Sequence, residues 1–255
     1  MKLVAFLAVL ATGALLLAAT GDFPAWGDTE SPANDNRLSK GYLTDSIVQT
    51  EVPNVVTAVL ADYRGFDTMF ETVVIFVAGL AIIGVLSIFR QKDGDKSPPE
   101  DAEIFAHEAG DLVVRTTCRL LVPIIQLFAL YVVAHGHHSP GGGFQGGVML
   151  GASFILIAIA YGLPTALLRL SENRAITLAA VGIIIYAGIG LLSMLLGGNF
   201  LDYSFLHKVL PATNETWARS HAMLAVETGV AFTVMAIMFA IYANLASRGK
   251  LHGGL

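Results

Sequence analysis

The chain has 255 residues, of which 55% are hydrophobic and 14% are charged, and its mean hydropathy is +0.66. An average soluble domain carries about 25% charged residues, so this composition excludes an ordinary soluble fold. A net charge of −5 without a basic stripe excludes a nucleic-acid-binding protein. The single cysteine, Cys118, excludes a disulfide scaffold and argues against a cysteine-ligated metal centre.

Apolar segments long enough to cross a bilayer, which takes about 20 residues, recur along the chain. They predict an all-α polytopic integral membrane protein with about six transmembrane helices. In chain order, the predicted spans are residues 3–19, 72–89, 112–134, 146–168, 175–196 and 221–246. The first span follows Lys2 and also has the shape of a cleaved signal peptide, so that alternative stays open.

The basic residues predict the orientation, because cytoplasmic loops retain lysine and arginine. With the N-terminus inside, ten Lys and Arg residues fall on the cytoplasmic side and five on the outer side. We therefore expect a multi-pass protein of the cell (inner) membrane with both termini in the cytoplasm. Cleavage of the first span would leave the orientation of the other spans unchanged.

The segments between the spans suggest a division of the chain. The outer loop before the second span becomes amphipathic from Val52, and Pro53 suits the start of a short helix. Residues 91–110 are polar, proline-containing and linker-like. We expect a first segment at 1–90 with two spans and an outer loop, a cytoplasmic linker at 91–110, and a four-helix transmembrane domain at 111–255.

Glu227 is the clearest candidate for an ion site because it lies inside the sixth apolar span. A charge within a span costs roughly 2.5–3.5 kcal/mol on insertion scales, so such residues are functional candidates. Glu227 would then bind a proton or a cation. The alternative is a carboxylate neutralised by a basic group on a neighbouring helix.

Asp67 and Glu71 form a second acidic site at the outer start of the second span. Their four-residue spacing places both carboxylates on one helical face, where like charges favour a bound cation or a shared proton. Thr72 and Asp62 add nearby oxygen atoms of the kind that hard cations prefer. A salt bridge to Arg64, or the preference of helix N-termini for acids, would also explain them.

The loop joining the third and fourth spans carries three histidines followed by a proline and three glycines. His135, His137 and His138 lack helical i,i+4 spacing and no carboxylate follows them, so we do not expect a metal. The glycines permit unusual dihedrals, and freed backbone amides and carbonyls would then coordinate an ion. A tight hairpin at the outer face is the alternative.

The remaining charged residues in the spans, Arg115 and Arg119, share a face of the third span near the cytoplasm. We expect them to snorkel to the interface or to pair with acids of a partner subunit. No nucleotide-binding loop, nucleophile triad or zinc motif occurs in the sequence. The chain is therefore not expected to be an enzyme.

Two stretches resemble a known family. The run His-His-Ser-Pro-Gly-Gly-Gly-Phe-Gln-Gly-Gly at 137–147, with Tyr-Gly at 161–162 and Glu-Thr-Gly-Val at 227–230, resembles the MnhB family, whose members are subunits of Mrp-type multisubunit Na+/H+ antiporters. Upstream, Asp-Tyr-Arg-Gly-Phe-Asp-Thr-Met-Phe-Glu at 62–71 resembles the MbhE-type segment. Many relatives have Leu-Gly where this chain has Met69-Phe70, whereas Asp67 and Glu71 match.

The resemblance implies one subunit of a large complex that exports sodium in exchange for protons, with the other subunits and the lipid bilayer as partners. It implies no cofactor, since Na+ and H+ are transported. It also implies that the first span is retained. The ion-path candidates are Asp67, Glu71, Thr72 and Glu227. The residues of the loop that shapes the path are His137, His138, Pro140, Gly141, Gly142, Gly143 and Phe144.

Two other functions remain open from the sequence. The chain would serve equally as an ion-translocating membrane subunit of a respiratory-type complex, such as a membrane-bound hydrogenase. It would also serve as a structural scaffold whose acidic residues only make helix contacts. A transporter that works alone is disfavoured, because the six spans show no inverted repeat.

Overall fold

A computed structural model describes residues 2–32, 34, 37–92, 112–210, 214–247 and 251. Six helices in these residues are long and apolar enough to cross a membrane. This confirms the predicted all-α architecture with six spans. The chain divides into two compact units, Met1–Thr44 and Asp45–Leu255.

The first unit contains one apolar helix. Helix α1 (Lys2–Ala19) continues into a 3₁₀ turn at Thr20–Asp22, and neither has a buried residue. A uniformly apolar helix without buried side chains is suited to contact with lipid or with other membrane helices. Helix α2 (Arg37–Thr50), which the sequence did not predict, begins in this unit and ends in the second.

The second unit opens with the amphipathic segment that was predicted from Val52. It forms a short helix α3 (Val55–Ala58) and a π-helical turn (Val59–Tyr63) before the long helix α4 (Gly65–Lys92). The helix begins at Val55 rather than at Pro53, because the Asn54 side chain accepts hydrogen bonds from the Val56 and Thr57 amides and caps it.

Five further helices complete the second unit. They are α5 (Leu112–Ala134), α6 (Gly143–Tyr161), α7 (Leu163–Arg169), α8 (Glu172–Leu195) and α9 (Glu215–Ala246), with a 3₁₀ turn at Tyr203–Lys208 before α9. Helix α9 is the central helix and packs against α8, α6 and α4. In its most apolar window 67% of the residues are buried, against 17–44% in the other spans of this unit.

Small residues allow the helices to approach α9 closely. A Cβ atom on Gly229 of α9 would come within 2.6 Å of the Gly182 carbonyl oxygen of α8. One turn away, the Thr233 hydroxyl donates to the Ala179 carbonyl at 2.9 Å. On the other side, a Cβ atom on Gly147 of α6 would lie 2.9 Å from the Ala231 carbonyl. Packing of small residues is the usual way in which membrane helices associate.

The structure moves several ends of the predicted spans: the second begins at Gly65 rather than at 72 and the fifth at Glu172 rather than at 175. The fourth span ends at Tyr161 rather than continuing to 168, because Gly162 adopts φ +87° and Pro164 lies at the start of α7. It also begins at Gly143, earlier than predicted. The sixth span begins at Glu215 because the Asn214 side chain accepts from the Trp217 amide at 2.8 Å.

The predicted division of the chain at 91–110 stays a prediction. Residues 93–111 lie outside the described residues. The second compact unit, Asp45–Leu255, contains helices from both sides of that segment.

Candidate functional site

Glu227 lies in α9 and is buried, with 9% of its surface exposed. Its Oε2 atom has no hydrogen-bond partner. Among the residues that the structure describes, no basic side chain pairs with it. The described residues therefore do not provide the neighbouring base that was the alternative explanation for this carboxylate.

Glycines of the α5–α6 loop form the surroundings of Glu227. A Cβ atom on Gly142 would overlap Glu227 Oε1, and a Cβ atom on Gly143 would overlap the Glu227 backbone carbonyl. A Cβ atom on Gly136 would lie 3.2 Å from Oε2. The glycines are thus needed because the loop backbone contacts this glutamate directly. That reason could not be read from the glycine run itself.

The carboxylate lies at the N-terminus of α6. Gly142 is the N-cap residue with φ +120°, a conformation that side chains other than glycine rarely adopt. The backbone amide of Gly143 interacts with the Glu227 side chain. Amides and the helix dipole at an N-terminus stabilise negative charge. The N-terminus of α6 therefore lowers the cost that burial imposes on an anionic carboxylate here, and Oε2 has no hydrogen-bond partner.

Asn54 and Thr57 of α3 fasten the loop from its other side. The Asn54 amide group donates to the carbonyls of Gly136 and Ser139, each at 2.8 Å, and its backbone N–H donates to the His137 carbonyl at 2.9 Å. The Thr57 hydroxyl also donates to the Gly136 carbonyl at 2.8 Å. These carbonyls are therefore engaged in hydrogen bonds, and the Gly136 oxygen accepts two of them. Coordination of an ion by the loop backbone stays a prediction.

The histidines of the loop differ in burial. His137 is buried, its Nδ1 lies 3.4 Å from the Ser220 hydroxyl of α9, and its Nε2 has no hydrogen-bond partner. Burial and the neighbouring His138 and His221 lower the pKa of His137. His138 is exposed and its ring lies 5.4 Å from that of His135. The described residues contain no group of three or more His, Cys, Asp or Glu suited to a metal ion.

Two other residues assigned to the loop, Pro140 and Phe144, are exposed, and Gly141 is half-buried. A Cβ atom on Gly141 would lie 3.0 Å from the Val132 carbonyl of α5. Gly141 therefore packs against α5 rather than against the carboxylate. Of the three consecutive glycines, only Gly142 and Gly143 contact Glu227.

Asp67 and Glu71 lie in the first turns of α4 and are exposed. Asp67 forms an exposed salt bridge with Arg64, the pairing that was considered as the alternative to an ion site. Thr72 is buried, and its hydroxyl donates to the Thr68 carbonyl within the helix at 2.8 Å. The structure thus brings no second carboxylate from this pair into contact with Glu227.

The sequence did not predict two contacts of this region. Asp62, named in the sequence only as a nearby oxygen donor, forms a partly buried two-point ion pair with Arg219 of α9, at 2.5 and 2.8 Å. The Tyr186 hydroxyl of α8 donates to the Gly65 carbonyl at 2.8 Å, and Tyr186 lies within electrostatic range of Glu227, Asp62 and Glu71. In the sequence, the ion pair is indicated only by two charged residues, Asp62 and Arg219, that lie next to apolar segments and have no evident partner.

Arg115 and Arg119 lie at the opposite end of α5 from this loop. The Arg115 guanidinium lies 5.4 Å from the centre of the Tyr161 ring, whose hydroxyl donates to the Arg115 carbonyl at 2.9 Å. Arg119 is exposed. Their suggested pairing with partner subunits stays a prediction.

Comparison with known proteins supports the resemblance. Residues 113–240 match the model of the domain related to the MnhB subunit of Na+/H+ antiporters, and residues 23–102 match MbhE, a subunit of MBH. A Na+/H+ antiporter subunit of Bacillus subtilis (strain 168) is 32% identical over 138 residues, which are 54% of this chain and 94% of that protein.

Two solved structures resemble the whole chain. A chain of the membrane-bound sulfane sulfur reductase, an archaeal respiratory membrane complex, has a TM-score of 0.67 and 26% identity, with 96% of this chain and 97% of that chain covered. A chain of the Mrp complex from Dietzia sp. DQ12-45-1b has a TM-score of 0.64 and 28% identity, with 96% of this chain and 25% of that chain covered. The chain belongs to the family of domains related to the MnhB subunit of Na+/H+ antiporters.

Proposed function

We propose that this chain is a membrane subunit of a multisubunit cation/proton antiporter and that Glu227 is the carboxylate at which the cation and the proton compete. The observation that carries the proposal is the buried Glu227 carboxylate, whose Oε1 atom lies against Gly142 and whose Oε2 atom has no hydrogen-bond partner. Membership of the MnhB-related family and the likeness to a chain of the Mrp complex support the role of an antiporter subunit.

The competition follows from the cost of a buried charge. An unpaired carboxylate in an apolar span is unfavourable, so Glu227 needs a proton or a cation to neutralise it. The N-terminus of α6 reduces the cost of the anionic form enough for a proton to leave when a cation arrives. One site that holds either ion, but not both, is what an exchanger requires.

The other predicted residues have secondary roles in this proposal. Asp67, Glu71 and Thr72 belong to the approach to the path, because the two carboxylates are exposed rather than enclosed. His137, Pro140, Phe144 and the loop glycines shape the cover over Glu227. Arg115 and Arg119 are available to acids of other subunits at the opposite end of α5.

The proposed orientation follows the positive-inside bias of the sequence, with both termini in the cytoplasm. The Glu227 site then lies near the outer face, and the linker at 91–110 lies inside. Exposed apolar side chains along α4 and α5, such as Val74, Val77, Leu120 and Leu127, are suited to lipid and to the helices of other subunits.

A respiratory-type complex is the second candidate function. A chain of an archaeal respiratory membrane complex matches over nearly the full length of both chains. In such a complex, the same carboxylate would transfer ions driven by a redox reaction in another subunit. Co-purification of a redox subunit with this chain would favour this candidate over the antiporter.

The test is Glu227→Gln in the assembled complex. Glutamine keeps the size of the side chain but can neither release a proton nor attract a cation through a charge. We expect Na+/H+ exchange in everted vesicles, followed by dequenching of a fluorescent pH probe, to fall to background while native gels show normal assembly. Glu71→Gln should raise the sodium concentration for half-maximal exchange without abolishing it.

Glu215→Gln is the matched control, since Glu215 is an exposed residue at the start of the same helix. It should exchange like the wild type. Wild-type sodium dependence in Glu227→Gln would remove this residue from the ion path and leave the scaffold role for the chain.

A further inference from the structure

Asn54 is the residue that joins the α3 segment to the loop over Glu227. Its side-chain oxygen accepts from the Val56 and Thr57 amides at 3.1 and 3.5 Å and caps α3. Its amide nitrogen donates to the Gly136 and Ser139 carbonyls, both at 2.8 Å. The two ends of one side chain thus bind two segments that are more than 80 residues apart in sequence.

The loop that Asn54 holds is the one that contacts the carboxylate. Gly136 accepts hydrogen bonds from Asn54 and Thr57, and a Cβ atom on it would lie 3.2 Å from Glu227 Oε2 and 2.8 Å from the Gly142 Cα atom. Gly142 in turn contacts Oε1. The hydrogen bonds of Asn54 therefore fix the backbone on the side of Oε2, the oxygen that has no partner.

We infer that Asn54 is a positioning residue for the Glu227 site, which sets how closely the Gly136–Gly142 backbone encloses the Oε2 atom and thereby the affinity for the cation. The inference rests on the proposed function of Glu227. Among capping residues, serine and aspartate accept from helix amides as asparagine does. Neither has an amide group that donates to two carbonyls, and aspartate has no donor when ionised.

Capping and positioning can therefore be separated by substitution. Asn54→Asp and Asn54→Ser both keep a cap for α3, and both remove the side-chain amide group that donates to two carbonyls of the loop. Asn54→Asp adds a charge and Asn54→Ser does not, so an effect shared by both comes from the lost donors. Asn214→Asp is the matched control, because Asn214 caps α9 by accepting from the Trp217 amide. Thr57→Val removes the hydroxyl that donates to the Gly136 carbonyl and accepts from the Asn54 amide group, but it keeps both Asn54 bonds to the loop and is the milder variant.

Two measurements on the assembled complex test the inference. The first is Na+/H+ exchange in everted vesicles, resolved into maximal rate and the sodium concentration for half-maximal exchange. The second is labelling of Glu227 by dicyclohexylcarbodiimide, read by mass spectrometry of the purified complex, with sodium added as the protecting ion. A residue that only stabilises the fold would lower the maximal rate or the yield and leave both sodium dependences unchanged.

We expect Asn54→Asp to raise two sodium concentrations about tenfold, that for half-maximal exchange and that for half-maximal protection of Glu227 from labelling. The reason is the loss of two hydrogen bonds whose carbonyl partners are left unsatisfied. Asn54→Ser and Thr57→Val should shift them in the same direction by about two- to fivefold. Asn214→Asp should leave them unchanged. If the complex with Asn54→Asp does not assemble, Asn54→Ser and Thr57→Val still test the positioning role of Asn54.

The two proposals fail in different ways. Wild-type sodium dependences in Asn54→Ser and Thr57→Val, with exchange abolished in Glu227→Gln, would overturn the positioning role and leave the proposed function intact. Normal exchange in Glu227→Gln would overturn the proposed function, and the positioning role of Asn54 with it.

Discussion

Two acidic regions of this chain are candidate ion sites in the sequence, yet they lie in opposite environments. Glu227 is buried within α9 under a glycine backbone, and one of its oxygens has no partner. Asp67 and Glu71 are exposed at the start of α4, and Asp67 is paired with Arg64. Spacing alone thus identifies acidic residues that share a helical face. Burial by other segments determines which carboxylate is energetically unfavourable as an unpaired anion.

The difference arises from what covers each carboxylate. Asp67 pairs with Arg64 of the turn before α4, and both side chains of this pair are exposed. Glu227 is covered by a loop from between α5 and α6, and that loop is held by Asn54 of α3. The substitutions below test this contrast, beginning with the cover of Glu227.

Gly143→Ala should have the largest effect. A Cβ atom at Gly143 would overlap the backbone carbonyl of Glu227, and a backbone atom cannot move aside as a flexible side chain can. Overpacking of this kind costs about 1–3 kcal/mol or more. We expect loss of exchange and a lower melting temperature of the purified complex, with Gly142→Ala close behind and Gly141→Ala milder.

Gly188→Ala is the control for this prediction, because a Cβ atom at Gly188 in α8 would meet nothing within 4 Å. Alanine within a helix is favoured over glycine by about 0.5–1 kcal/mol, so this variant should be as stable as the wild type or slightly more so. Equal behaviour of Gly143→Ala and Gly188→Ala would contradict the close contact between the loop and α9.

The next largest effect concerns Asp62→Asn and Asp67→Asn, which compare the same substitution in a partly buried and an exposed ion pair. The side chains of Arg219 and Asp62 are 22% and 8% exposed, whereas those of Arg64 and Asp67 are 59% and 49% exposed. An exposed pair contributes about 0–1 kcal/mol, and breaking a fully buried pair costs about 3–5 kcal/mol because one charge stays buried. We expect the partly buried pair of Asp62 to lie between these limits.

The measurement is thermal unfolding of the purified complex that contains each variant. A marked fall in the melting temperature is expected for Asp62→Asn and almost none for Asp67→Asn. A fall of the same size in both would mean that other subunits bury Asp67 in the complex. Asp67 would then return as a candidate for the enclosed part of the path.

The six spans could be predicted from the sequence because hydropathy and periodicity are local properties of the chain. All six predicted spans correspond to helices, and the errors lie at ends that single residues determine, such as Asn54, Asn214 and Gly162. Helix α2 was missed because its residues are polar and show no strong apolar face. Element ends depend on capping contacts, which hydropathy does not contain.

The site was only partly predictable for a different reason. Glu227 was found from the rule that a charge in a span is costly, and the glycine loop from its composition. Their contact was not found, because it joins segments more than 80 residues apart. Asn54 resembles any capping asparagine in sequence, and its second role depends on carbonyls that the fold brings to it.

The smallest predicted effect is a loss of stability at low pH, and it involves His137 in the loop that covers Glu227. Burial, His138 and His221 lower the pKa of His137 below its usual value of 6.5. The other polar groups that face His137 are the Ser220 hydroxyl on α9 and the Asn54 backbone amide on α3, and neither carries a charge. The pKa of His137 is therefore lower in the folded chain than in the unfolded chain.

The sign follows from proton binding. Above about pH 6.5, His137 is neutral in both the folded and the unfolded chain, so the free energy of unfolding does not depend on it. Below that pH, the unfolded chain binds a proton more readily than the folded chain, and stability is lost. We expect the melting temperature of the complex to fall between about pH 6.5 and 5.5 in the wild type and to fall less in His137→Gln. His207→Gln, in the 3₁₀ turn before α9, should keep the wild-type dependence, and identical acid profiles for all three proteins would show that protonation of His137 does not destabilise the loop.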